Sequence, residues 1–314
     1  MSKLSLVPIW LVLAALLSAC GVVFTPTPTE APVRSAPIVT VIVTPLPTRT
    51  PVPSITPPVE LPDLSGPYLG QTLPGVVPQI FAPGFISHPA TVEYSASFSP
   101  DGTEFFFTRR VGQAQNLYET HLVDGIWSDP APVAFTAGYR AHEPHITLDN
   151  ATLYFGWFRP LPEGVPHDMD YGIWAVDRLA EGWSEPRYVG LGMHVSSDLS
   201  GQLYVTDLST SPHSLSQVTL SDGHFNAYEY IALGAHPCIA PDGSYLIYDY
   251  GGGDDLFVRF RQQDGAWGDA TELPLQDFAH GAGIASISPD GLYLFYTDGE
   301  DIYWVSTEII TALR

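Results

Sequence analysis

Five times along this chain, two runs of β-branched and aromatic residues flank a tight polar turn. The copies read "SFSPDGTEFFFT" from Ser97, "HITLDNATLYFG" from His145, "HVSSDLSGQLYVT" from His194, "CIAPDGSYLIYD" from Cys238 and "SISPDGLYLFYT" from Ser286. Their aspartates are Asp101, Asp149, Asp198, Asp242 and Asp290, spaced 149−101=48, 198−149=49, 242−198=44 and 290−242=48. Pro-Asp-Gly presets one φ, offers a carboxylate that caps its own turn and supplies a residue free to take positive φ. The flanking residues favour strands. Short strands repeating at about 40–50 residues are the signature of a propeller blade. The third copy, "SDLSG", reads as carrying an extra residue that bulges.

A second hairpin lies between the first ones: "DGIWSDPAPV" from Asp124, "EGWSEPRYV" from Glu181, "DGHFNAYEYI" from Asp222 and "DGAWGDATEL" from Asp264. One unit is therefore four strands, a to d. Asp101, Asp242 and Asp290 are read as turn holders, and Trp127, Trp183, Trp267 and Trp304 as packing between blades. The fifth unit ends after its third strand, "DIYWVSTEII" from Asp301. The segment Pro78 to Gly84 resembles the fourth strands of earlier units. The expected fold is all-β: a propeller of five four-stranded blades whose last blade is closed by an N-terminal strand, leaving no free edge at the closure.

The combination of "SPDGxxLxF", "DIYW" and "DGxWSxP" resembles the WD40-like repeat of TolB-type bacterial β-propellers over residues 67–314. That resemblance implies a propeller with protein partners in the cell envelope. The partner-binding segments of TolB have no match here. Propellers host binding, scaffolding and catalysis alike, so function must be read from a site.

The N-terminus has a different character. After Lys3, Leu4 to Leu17 is an apolar run too short for a comfortable membrane span. It ends in Leu17-Ser18-Ala19-Cys20-Gly21, which resembles the lipobox of bacterial lipoprotein signal peptides. The resemblance implies that residues 1–20 are a signal peptide and that Cys20 carries the lipid. The protein is then an extracytoplasmic, membrane-anchored lipoprotein. Residues 21–66 are dominated by Thr and Pro, a composition that favours extended chain and reads as a disordered stalk. The domain expected to fold is 67–314.

Of 314 residues, 12 are Lys or Arg and 34 are Asp or Glu, a formal net charge of −22 that repels phosphate backbones. Nucleic acid is excluded as a partner. Cys20 and Cys238 lie in such different contexts that no disulfide framework is expected. A monomer is expected.

In a propeller, the d-to-a connections and b-to-c loops emerge on one face. His88, His142, His194, His236 and His280 fall in or beside the former; His167 and His213 fall in the latter. Acidic residues share that face. The predicted ligand-binding set is His142, Glu143, His194, His236 and His280, with Asp168 and Asp170 reaching in from the second b-to-c loop. Imidazole and carboxylate together bind divalent metals or polar ligands such as glycans. No HExxH, HxxEH or EF-hand spacing is present, so no cofactor is expected and a divalent metal stays an open alternative. Glu143 is the one carboxylate well placed in an inner strand, and no Gly-x-Ser-x-Gly elbow occurs, so no catalytic residue is assigned. The leading expectation is a binding or interaction module for an envelope protein or glycan. The alternatives are a glycan-active hydrolase using carboxylates at the channel mouth, and a structural surface protein.

Overall fold

The computed structural model describes residues 64–165, 169–251, 255–275 and 281–314. It is a five-bladed β-propeller built from antiparallel sheets. Blade 1 consists of strands a (Val92–Phe98), b (Glu104–Val111) and c (Ala114–Val123), with Ile126–Trp127 and Ala131–Pro132 both pairing c as an interrupted strand d. Blade 2 comprises Ala141–Ile146, Thr152–Trp157, Gly172–Asp177 and Arg187–Gly190; blade 3 comprises Met193–Ser197, Leu203–Asp207, Ser214–Ser221 and His224–Leu233. Blade 4 is Ala235–Ile239, Tyr245–Asp249, Phe257–Phe260 and Thr271–Glu272. Blade 5 is Gly283–Ile287, Tyr293–Thr297 and Ile302–Ser306, completed by Gln79–Ile80.

The closure expected for Pro78 to Gly84 is present, with Gln79 opposite Trp304 and Ile80 opposite Tyr303. Strand c of this blade is shorter than its apolar sequence implied: after Ser306 the chain turns into a short helix, Glu308–Thr311, which buries Ile309 and Ile310.

Alternation along the middle strands explains how the ring coheres. Leu153 and Phe155 pack towards blade 1 with Phe106 and Leu117, while Tyr154 between them packs towards blade 3 with Val195 and Val205. Five apolar clusters result, one in each interface between neighbouring blades. The cluster between blades 5 and 1 is the most aromatic: Phe81 touches Phe98, Phe105, Phe295 and Trp304, with ring centroids 5.2–5.9 Å apart. Trp127 and Trp304 are buried, and Trp183 and Trp267 are partly buried against Phe106 and Tyr204 of the adjacent blades.

The turns behave as their chemistry requires. Asp101 Oδ1 accepts from Ser99 Oγ at 2.6 Å and Thr103 N at 3.0 Å; Asp290 does the same with Ser288 and Leu292. Blade 3 differs from its sequence alignment. The backbone pair that closes each turn, Ser99 N to Glu104 O in blade 1, is Asp198 N to Gln202 O in blade 3. Asp198 therefore stands where the other blades have Ser99, Thr147, Ala240 and Ser288, and the turn is one residue shorter, not longer.

Candidate functional site

The corrected alignment changes which residues are equivalent around the channel. Counting four residues back from Ser99, Thr147, Asp198, Ala240 and Ser288 gives Ser95, Glu143, His194, His236 and Ile284. All five have positive φ, between 49° and 58°, and lie at an irregularity in the pairing of strands a and b. The left-handed region costs an L-residue about 1–2 kcal/mol. Because the bulge recurs in every blade, including at β-branched Ile284, it belongs to the fold. What varies is the side chain it carries. Three consecutive blades carry Glu143, His194 and His236, all buried.

A second ring sits on strand b: Thr108, Gly156, Thr206, Asp249 and Thr297. Its members cap the next blade. Thr108 Oγ1 accepts from Glu143 N at 2.9 Å, Thr206 Oγ1 from His236 N at 2.8 Å, and Asp249 Oδ2 from Ile284 N at 3.0 Å. Two members break the pattern. Gly156 has no hydroxyl, and a Cβ there would lie 2.4 Å from Tyr171 Oη and 3.1 Å from His142 Nε2. Asp249 puts a carboxylate where a threonine would serve the backbone equally well. Its oxygens lie 2.9 and 2.8 Å from His236 Nδ1.

Together these substitutions build one polar cluster. Glu143 Oε1 lies 3.1 Å from His142 Nδ1 and 3.6 Å from His236 Nε2. His142 is stacked against Phe158 and Tyr171, with ring centroids 5.5 and 5.3 Å away. The His194 ring stands edge-on to His236 at 5.6 Å. Glu143 Oε2, His142 Nε2, His194 Nδ1 and Tyr171 Oη are buried without a hydrogen-bond partner. Four such atoms lie in one place, and each costs free energy while unpaired.

Electrostatics separates the members. Burial pushes the Glu143 carboxyl up, but the neighbouring imidazoles of His142, His236 and His194 outweigh it and hold it at about 2. Burial pulls His194 down to about 4. Burial also pulls on His236, yet the Asp249 carboxylate prevails and raises it. Asp249, penalised by burial, is lowered by the same contact. At neutral pH the cluster thus holds two carboxylates, with a neutral His194.

Deeper in the channel a further belt is structural. Ser97 Oγ accepts from Ile146 N at 3.0 Å and Ser196 Oγ from Ile239 N at 3.2 Å, each across a blade boundary. His145 replaces the serine in blade 2 and meets Ser197 Oγ at 2.8 Å. Cys238 occupies the same level as a buried thiol pushed up to about 12 by burial, consistent with a packed small residue. The belt surrounds a void of about 30 Å³, enough to hold ordered water.

Of the predicted site residues, His142, Glu143, His194 and His236 converge. Asp170 is exposed, one residue before Tyr171. His280, Asp168, His167 and Cys20 lie outside the described residues. His88 and His213 are exposed. Asp249, Tyr171 and Gly156 escaped the sequence reading. Asp249 had a signal: its repeat copy ends "YLIYD" where three others end in threonine, "FFFT", "LYVT" and "LFYT".

No protein-family model matches the chain, and no curated protein matches it. Among solved structures, TolB from Acinetobacter baumannii is similar with 14% identity and a TM-score of 0.42, covering 68% of this chain and 46% of that one. This chain thus spans under half of TolB. The gluconolactonase XC5397 from Xanthomonas campestris is similar with 13% identity and a TM-score of 0.43, covering 76% and 97%. A thermostable family-43 glycoside hydrolase shows 12% identity and a TM-score of 0.45, covering 70% and 90%. Likeness at this level carries no functional inference.

Proposed function

We propose that this protein is a lipid-anchored, extracytoplasmic β-propeller that binds a polar ligand, a glycan group, at the histidine–carboxylate mouth of its channel. One observation carries the reading: three consecutive blades place Glu143, His194 and His236 at the same left-handed position, and the fold needs none of these side chains there. The cluster is nearly closed, with its members 1–9% exposed. Such a site takes a protruding polar group more readily than a flat protein surface. A sugar hydroxyl can donate to Glu143 Oε2 while accepting from an imidazole. The anchor rests on Leu17-Ser18-Ala19-Cys20; among the described residues, no helix is long and apolar enough to cross a membrane.

A second reading, hydrolysis, is favoured by the Asp249–His236 pair, whose Nε2 faces Glu143 as a general acid–base pair would. A glycan array probed with the full chain in detergent tests the first reading, and a reducing-sugar assay on the hits tests the second. Binding lost in Glu143→Gln, with the melting temperature retained, is expected. Hits that bind the variant unchanged would overturn the site.

A further inference from the structure

We propose that the mouth holds a divalent transition-metal ion of the zinc class, bound by Glu143, His194 and His236, with Asp249 orienting His236. The inference deepens the proposed function and rests on the same mouth being the functional site.

Geometry is the first support. Two ligand atoms about 2.1 Å from one tetrahedral ion lie about 3.4 Å apart. Glu143 Oε1 and His236 Nε2 are 3.6 Å apart. Two imidazoles sharing such an ion have ring centroids about 5 Å apart; those of His194 and His236 are 5.6 Å apart. The Asp249 contact is the second support. Metal-ligating histidines commonly give their other ring N–H to a carboxylate, which fixes the tautomer and the ring direction. Asp249 does this at Nδ1, leaving Nε2 turned to Glu143. Unpaired atoms are the third: Glu143 Oε2 and His194 Nδ1 are buried with no partner. His142 Nδ1 lies 3.1 Å from the same Glu143 Oε1, and its ring stacks on Phe158 and Tyr171.

Among the described residues, no three His, Cys, Asp or Glu side chains stand close enough together to hold an ion without movement. The ion would therefore draw the His194 ring in, towards a pair already set by Asp249. Two nitrogens and one carboxylate favour zinc-class ions over calcium and magnesium, which prefer all-oxygen shells.

The test is titration of the chelator-treated full chain in detergent with Zn²⁺ alone, read by calorimetry and by the melting temperature. One tight site per chain is expected, with Ca²⁺ at least about 100-fold weaker. Glu143→Gln and His236→Ala should each weaken that site at least about tenfold, and Asp249→Asn by about 10–100-fold. His213→Ala, on the exposed surface, should leave it unaltered. If His236→Ala does not fold, Glu143→Gln and His194→Gln carry the comparison. Absence of stoichiometric Zn²⁺ binding, binding indifferent to Glu143→Gln, or tighter Ca²⁺ binding would overturn the proposal. Glycan binding that persists in chelator and still needs Glu143 would sink the metal while sparing the site; Zn²⁺ binding at Glu143 without any glycan hit would do the reverse.

Discussion

Asp249 joins two blades through one carboxylate: it meets His236 Nδ1 of its own blade at 2.8 Å and accepts the Ile284 N–H of the next blade at 3.0 Å. Asp249→Thr restores the residue type found in blades 1, 3 and 5 and keeps an acceptor for Ile284, but leaves His236 without its orienting partner. This variant is expected to melt within a few degrees of wild type while ligand or metal binding falls at least tenfold. A comparable loss in both measurements would mean that Asp249 serves the fold alone.

Gly156 makes room for the site. Alanine there would place a methyl group 2.4 Å from Tyr171 Oη. Overpacking of this kind costs about 1–3 kcal/mol, and here the strain falls on the stack that holds His142. Gly156→Ala should therefore lower the melting temperature and weaken binding together. Calorimetry on the variant, with a glycan hit or Zn²⁺ as titrant, checks both.

The channel belt makes the fold acid-sensitive. Burial holds His145 at about 3, against about 6.5 unfolded. The unfolded chain thus binds a proton that the folded chain refuses. The stability this residue retains above pH 6.5 is lost as pH falls towards 3. At pH 5 the loss is about 2 kcal/mol. His145→Ser, matching blades 1, 3 and 5, should flatten the decline in melting temperature between pH 7 and pH 5. An unchanged slope would contradict the assignment.

Much of this was legible in the sequence because propeller physics is local. Turn chemistry and strand alternation are written in ten-residue stretches, so the five blades and the closing strand could be read directly. His142, Glu143, His194 and His236 were legible as a group because the ends of strand a must face one mouth. Asp249 was hidden for a physical reason: its partner His236 is 13 residues away across a hairpin, and an aspartate closing a strand looks like another turn residue. His194 was placed in the wrong register because Asp198, matched to Asp101 in the sequence, stands at the position of Ser99.

A buried ion pair fastens blade 1 near the closure. Arg109 Nε lies 2.7 Å from Glu93 Oε1, and the Glu93 side chain is fully buried. Removing one partner of such a pair typically costs about 3–5 kcal/mol because the other charge stays behind. Arg109→Ala should lose about that much, and adding Glu93→Gln should recover part of it. Chemical denaturation of the two variants measures both values.

Phe81 is the apolar keystone of the same region. Phe81→Ala should cost about 3–5 kcal/mol. Deleting residues 78–84 should go further, exposing the edge of strand Ile302–Ser306 and inviting aggregation. A monomeric deletion variant with a wild-type melt would contradict the role given to the closing strand.

That strand also sets the order of events during biogenesis. Gln79 pairs with Trp304, a separation of 304−79=225 residues. Among the first strands of the fold to leave the ribosome, it finds its neighbours only when nearly the last have been made. Contacts of such long separation are slow to form. The growing chain therefore passes through a stage in which four blades can assemble while the closing strand waits for the other three strands of the fifth. On the export proposed above, that interval is useful, since a ring that is not yet shut is easier to thread through a translocation pore than one that is.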